Sequence, residues 1–248
     1  MSRKGLGLRS ILSTHAHVPF WQTQSYNAYI GISFATGAFI FALASILMFC
    51  SLRWSQLANI TNLAFFVGSI PFTLAASLQH FQSANSPDFT NDEPTREIGT
   101  RRWSIIGWHP KSAGWLSSFT QWLGTIAFNI STFNSIAAPG SHELSVLEIW
   151  APNFEGSVLF LVSGYLAFVE VGNKYWSWRP KNLSWQIVFI NLLGCIAFMI
   201  AAVTPTSPVR DDALWLLAYS NTHTLIGALY FLMGAVLLVR ESRFANSG

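Results

Sequence analysis

Gly124-Thr-Ile-Ala-Phe128-Asn-Ile-Ser131-Thr132 is the clearest copy of a pattern that every long apolar segment of this chain contains. The pattern is Gly, a small residue, two variable residues, Phe, and then a second small position. It recurs at Gly37 with Phe41, Gly68 with Phe72, Gly156 with Phe160, Gly194 with Phe198 and Gly227 with Phe231. The second small position is Ala44, Ala75, Ser131, Ser163, Ala201 and Gly234 in turn. On a helix, offsets of zero, four and seven share one face. Each segment therefore carries a hollow, a knob and a hollow in one stripe. Helices in lipid associate by close backbone approach and dispersion contact, which favours small residues where they meet. The stripe predicts helix packing through Gly37, Gly68, Gly124, Gly156, Gly194 and Gly227.

The motif glycines come in pairs, 31, 32 and 33 residues apart, with longer gaps of 56 and 38 between pairs. Fixed-period self-similarity of this kind reads as repeated architecture. It predicts three pseudo-repeated helical hairpins, over 28–80, 115–173 and 185–239.

Composition agrees. Half of the 248 residues are hydrophobic (51%) and only 10% are charged, against about 25% in an average soluble domain. Six apolar runs, near 28–50, 60–80, 115–137, 156–173, 185–204 and 215–239, approach the roughly 20 residues needed to cross hydrocarbon. The fold class expected is all-α: a polytopic membrane protein with six transmembrane helices over 28–240. An N-terminal arm (1–27), a loop (81–113) and a tail (241–248) flank or interrupt the helices. The basic start followed by an apolar run and Ala42-Leu-Ala44-Ser45 resembles a cleavable leader. The long polar arm before it and the continuing apolar run after it argue for a retained first span.

Twelve of the fourteen basic residues fall in alternate aqueous segments, which begin with Arg3, Lys4 and Arg9 and end with Arg240 and Arg243. Arg53 and Arg210 are the two on the other side. The positive-inside rule then places both termini in the cytoplasm, in a cell (inner or plasma) membrane. The net charge of +3 has this topological explanation, and nucleic acid is not an expected partner. Most tryptophans fall at predicted span ends, where indoles prefer the headgroup region. Trp122 is internal.

Polar residues inside the spans are the functional signal. In the second span Ser69, Thr73, Ser77 and His80 step by four, four and three, so they line one face. Gln121, Thr125, Asn129 and Thr132 do the same in the third. Asn191 in the fifth span occupies the offset of Gln121, three residues before the motif glycine, and His223 opens the sixth. Unpaired polar atoms in hydrocarbon cost several kcal/mol each. The rows therefore predict a pocket centred on Asn129, with Gln121, Thr125, Thr132 and Asn191 on its wall and His223 near its outer mouth. Glu170 is expected to reach the interface or to pair with Lys174 one turn on.

Chemistry is sparse. No paired carboxylates, metal-type His/Glu spacing or Ser-His arrangement falls inside the spans. Cys50 and Cys195 lie at different depths and read as free thiols. His15-Ala-His17 reads as a solvated arm. Enzymatic activity, metal and cofactor are not expected. Three readings differ in class. The first is a non-enzymatic protein that binds or passes a small solute or ion. The second is an accessory or scaffold subunit of a membrane complex, or a homo-oligomer, whose polar groups only join helices. The third is a haem or redox protein. That one needs two axial histidines at one depth, which His80 and His223 do not share, leaving His80 with loop residue His109.

The motifs from Trp115 through Gln121-Trp-Leu-Gly124-Thr125, Phe128-Asn129 and Ser131-Thr132, and from Trp150-x-Pro152 through Gly156-Ser157, Phe160-Leu161 and Ser163, carry a resemblance. The chain resembles an uncharacterised family of bacterial and fungal multi-pass membrane proteins over about residues 30–240, and its hairpins are similar to the YrhK-like transmembrane hairpin. The resemblance implies the membrane fold and lipid contact, and it implies no activity.

Overall fold

The computed structural model describes residues 19–86, 103–137, 146–204 and 214–244. The N-terminal arm with His15 and His17, residues 87–102 of the expected loop, Ser141, Glu143, Arg210 and the end of the tail lie outside the described residues.

Six long helices form: α1 Gln24–Ser51, α2 Ala58–Ala84, α3 Ala113–Ala137, α4 Ala151–Gly172, α5 Leu183–Val203 and α6 Leu214–Phe244. A π-helical turn, Val146–Trp150, leads into α4. The protein is all-helical, without strands among the described residues, and five of the helices are long and apolar enough to cross a membrane. Residue for residue α3 is as long as its neighbours, at 25 residues, but it is more polar. The helices overrun the apolar runs that nucleate them because polar residues cap them. Thr23, Ser112 and Asn182 each accept a hydrogen bond from the backbone N–H three residues on, at the starts of α1, α3 and α5.

Each helix packs on the next in sequence, and α6 returns to pack on α1, so the six close into a ring. Within each hairpin the Gly–Phe stripe interlocks reciprocally. A β-carbon at Gly37 would sit 2.8 Å from the Phe72 ring, and one at Gly68 would sit 2.8 Å from Phe41. Gly124 faces Phe160 while Gly156 faces Phe128, and Gly194 faces Phe231 while Gly227 faces Phe198. Each knob fills the hollow of its partner helix. The absent side chain lets backbones approach until a β-carbon at Gly124 would lie 3.1 Å from the Gly156 carbonyl oxygen.

The six phenyl groups meet on the ring axis. Phe41, Phe72, Phe231, Phe160, Phe128 and Phe198 follow one another in a closed circuit, with neighbouring centroids 5.1–6.2 Å apart. Most pairs meet edge to face or tilted, the arrangement that aromatic quadrupoles favour. The opposite helix faces present Ile32, Phe39, Ile70, Phe133 and Met233 outward, each about half exposed or more. A bundle apolar on both its axis and its outer surface is a bundle built for lipid.

The loops at the basic end show a recurrence that the glycine pattern does not reveal. Trp108-His-Pro110-Lys111-Ser112-x-x-Trp115-x-x-x-Phe119 returns seventy residues later as Trp178-Arg-Pro180-Lys181-Asn182-x-x-Trp185-x-x-x-Phe189. In both copies the second Trp stacks on the Phe one turn on, at 4.8 and 4.7 Å. It meets the first Trp edge-on, at 5.3 and 5.1 Å. Its indole N–H donates back to the preceding loop, at Ile106 and Ser177.

Carboxylates close the same end. Glu170, at the end of α4, lays its carboxylate against Gly114 in the first turn of α3, where a β-carbon would come within 2.6 Å of both oxygens. Glu241, at the end of α6, accepts 2.5 Å from Ser184 in the first turn of α5. Both acids sit fourteen residues past their motif glycine, and both lie where a helix N-terminus favours negative charge. Gln82 has that offset in α2, and it donates to Asn27 and the Trp21 carbonyl near the start of α1.

Candidate functional site: an axial cavity and a polar seam

The six residues expected around one pocket occupy three different places. Thr125, Asn129 and Thr132 belong to the seam between α2 and α3. There the two polar rows bond to each other. Thr132 Oγ1 lies 3.3 Å from Ser69 Oγ, Asn129 Nδ2 donates to Thr73 Oγ1 at 2.7 Å, and Trp122 Nε1 donates to Ser77 Oγ at 3.1 Å. His80 Nδ1 is 3.1 Å from Ser118 Oγ. The His80 ring is buried among Trp115, Phe119 and Trp122, with the Trp122 ring parallel to it. The hydroxyls also donate to carbonyls of their own helices, as Thr125 does to Trp122 at 2.7 Å. Asn129 Oδ1 is buried without a hydrogen-bond partner among the described residues. The Asn129 amide thus faces α2 and does not line the axial cavity described below.

His223 stands apart. Its Nδ1 lies 3.0 Å from the Tyr219 carbonyl oxygen one turn earlier, and its ring packs on Tyr219. It lies on the far side of the phenylalanine circuit from the cavity described next.

Gln121 and Asn191 do come together on the axis. They line a cavity of about 50 Å³, measured as space for the centres of water-sized spheres, between the phenylalanine circuit and the basic end. One layer of its wall has a simple rule. Phe34, Gln79, Gln121, Ala167, Asn191 and Leu238 line it, and each lies seven residues from the motif Phe of its own helix. Seven residues make two turns, so these side chains share the axial face of the phenyls, about 10 Å below them. Three of the six are amides. Ser117 and Ser163 add hydroxyls to the same wall, 3.3 Å from each other, and Ser117 donates to the Ser163 carbonyl. Gln79 is the site residue that the seven-residue spacing from the motif Phe brings out, Ser163 is the second small position of its own stripe, and Ser117 follows from neither spacing.

The amides are not equally engaged. Gln79 Nε2 donates to Gln121 Oε1 at 3.1 Å. Asn191 has no hydrogen-bond partner among the described residues. It is seated against Gly234 of α6, where any β-carbon would collide with the amide oxygen. Apolar side chains complete the wall, among them Phe34, Ile187, Val188 and Leu238. The cavity wall carries no Asp, Glu, Lys, Arg or His, and the described residues contain no cluster of three His, Cys, Asp or Glu that could hold a metal. Cys195 on this wall and Cys50 are both free thiols.

Comparison with family models, curated proteins and solved structures finds no match to the chain.

Proposed function

We propose that this protein is a non-enzymatic multi-pass membrane protein that binds a small uncharged polar solute in the axial cavity. The observation that carries the reading is the Asn191 amide, which faces the cavity with no protein partner. A polar group in an apolar bundle is costly unless something bonds to it, and Gly234 keeps the space that holds it open. A water needs about 10–15 Å³ by the same measure, so the cavity has room for about three or four waters, or for a solute of similar size. The wall offers amide and hydroxyl donors and acceptors but no countercharge. An ion stripped of water there would pay a desolvation cost that nothing returns, which favours a neutral ligand over an ion.

The seam between α2 and α3 favours the second reading, an accessory subunit or homo-oligomer, for its own residues alone: Asn129 and Thr132 join helices. In the proposed arrangement both termini face the cytoplasm of a cell (inner or plasma) membrane, and the YrhK-like hairpin is the repeating unit.

Saturation-transfer NMR on protein in nanodiscs, with acetamide, glycerol and tetramethylammonium as probes, tests the binding. The neutral probes should receive saturation and the cation should not. Asn191→Leu should abolish the transfer while leaving the melting temperature within a few degrees. Equal transfer to wild type and variant would sink the reading.

A further inference from the structure

We infer that the circuit of six phenyl groups is a hydrophobic gate, and that the axis is a pathway along which the solute of the proposed cavity crosses the bundle. This rests on the cavity reading above and adds passage to binding.

Three observations point along the axis. First, the ring is closed by consecutive neighbours. Its centre is therefore filled by side chains and not by a seventh helix, and the filling layers can be read one by one. Second, a smaller void of about 20 Å³ lies at the phenyl level, lined by Phe41, Ser69, Phe72, Thr125, Phe128, Phe160 and Phe198. Phe72 and Phe160 line both this void and the amide cavity. The two spaces are thus in series, with two aromatic side chains between them. Third, the polar atoms at the upper void are already used. Ser69 Oγ donates to the Phe66 carbonyl and Thr125 Oγ1 to the Trp122 carbonyl, both at 2.7 Å. The void therefore offers water little beyond aromatic carbon, and a water without polar partners does not settle in an apolar cavity.

A dry aromatic constriction beside a polar chamber is how hydrophobic gates close, by excluding water rather than by sealing with charge. Opening it needs side-chain rotation at Phe72 and Phe160.

The test is solute flux into proteoliposomes, read by light scattering after an osmotic step of acetamide or glycerol, with sucrose as the excluded solute. Phe72→Ala and Phe160→Ala should each raise acetamide and glycerol flux at least threefold over wild type and leave sucrose excluded. Phe39→Ala, whose parent side chain is 53% exposed on the lipid face, should change nothing. Adding Asn191→Leu to Phe72→Ala should return flux toward wild type. If both ring variants elute as folded protein and still match wild type, the gate is refuted. Sucrose entry would refute it too, as a general leak. Acetamide saturation transfer in nanodiscs alongside unchanged flux would leave the binding site standing and remove only the pathway. Absent transfer would remove the binding site itself.

Discussion

A methyl group at Gly234 would displace the Asn191 amide, whose atoms are its three nearest neighbours. Gly234→Ala is therefore a probe of one contact. The amide sits at the far end of its side chain and can swing away, so stability should change by less than about 1 kcal/mol, while acetamide saturation transfer falls severalfold. Asn129 makes the contrast. Asn129→Leu removes one interhelical bond, worth about 0.6 kcal/mol on average, and also removes a buried oxygen without a partner. Thermal melting should shift by no more than a few degrees, and solute binding should be unchanged. In sequence both amides were expected at one pocket, Asn129 from its place in a polar row and Asn191 from its offset three residues before the motif glycine. They differ in angle from the motif Phe. Gln121 and Asn191 lie seven residues before their Phe, about 20° off its direction, whereas Asn129 lies one residue after, about 100° round the helix.

At the scale of helices, the stripe predicts its own failure. Leucine at Gly124 or Gly156 would drive four carbons into the Phe160 or Phe128 ring and force the backbones of α3 and α4 apart. Each variant should lose about 1–3 kcal/mol, seen as earlier thermal aggregation in detergent. The elements themselves were readable because six apolar runs of span length allow little else. The contents of the connections were not. The carboxylates of Glu170 and Glu241 sit on the first turns of α3 and α5, a partner set by tertiary contact with no local sequence sign. The expectation for Glu170 was the interface or Lys174 one turn on, and neither looked across the hairpin to Gly114.

For the molecule as a whole, ring closure is the property to test. Asn221 Nδ2 of α6 donates to the Ser45 carbonyl of α1 at 2.8 Å, across 176 residues. Cysteines at Ser45 and Asn221 should cross-link under mild oxidation and speed migration on a non-reducing gel, and failure to do so would open the ring. Orientation is a separate matter, carried by the charge bias. Cysteines at Lys4 and Ser141 should label from opposite sides of the membrane, with Ser141 alone reacting with an impermeant reagent in intact cells. The sequence announced a bundle of hairpins. It did not announce that the last helix returns to the first, because the α1–α6 contact uses small residues such as Gly31, which packs on Val239 and lies outside the repeated stripe.

The polarity of α3 bears on how the protein is made. Leaving a translocon alone, a helix with Gln121, Thr125, Asn129 and Thr132 would expose hydrogen-bonding groups to acyl chains. Its natural companion, α2, is synthesised just before it and carries the matching hydroxyls and His80. Insertion of α3 should therefore depend on α2 already waiting beside the exit site. In a cell-free system with microsomes, replacing Ser69, Thr73 and Ser77 together with Leu should lower the fraction of chains in which α3 integrates, without touching α3 itself.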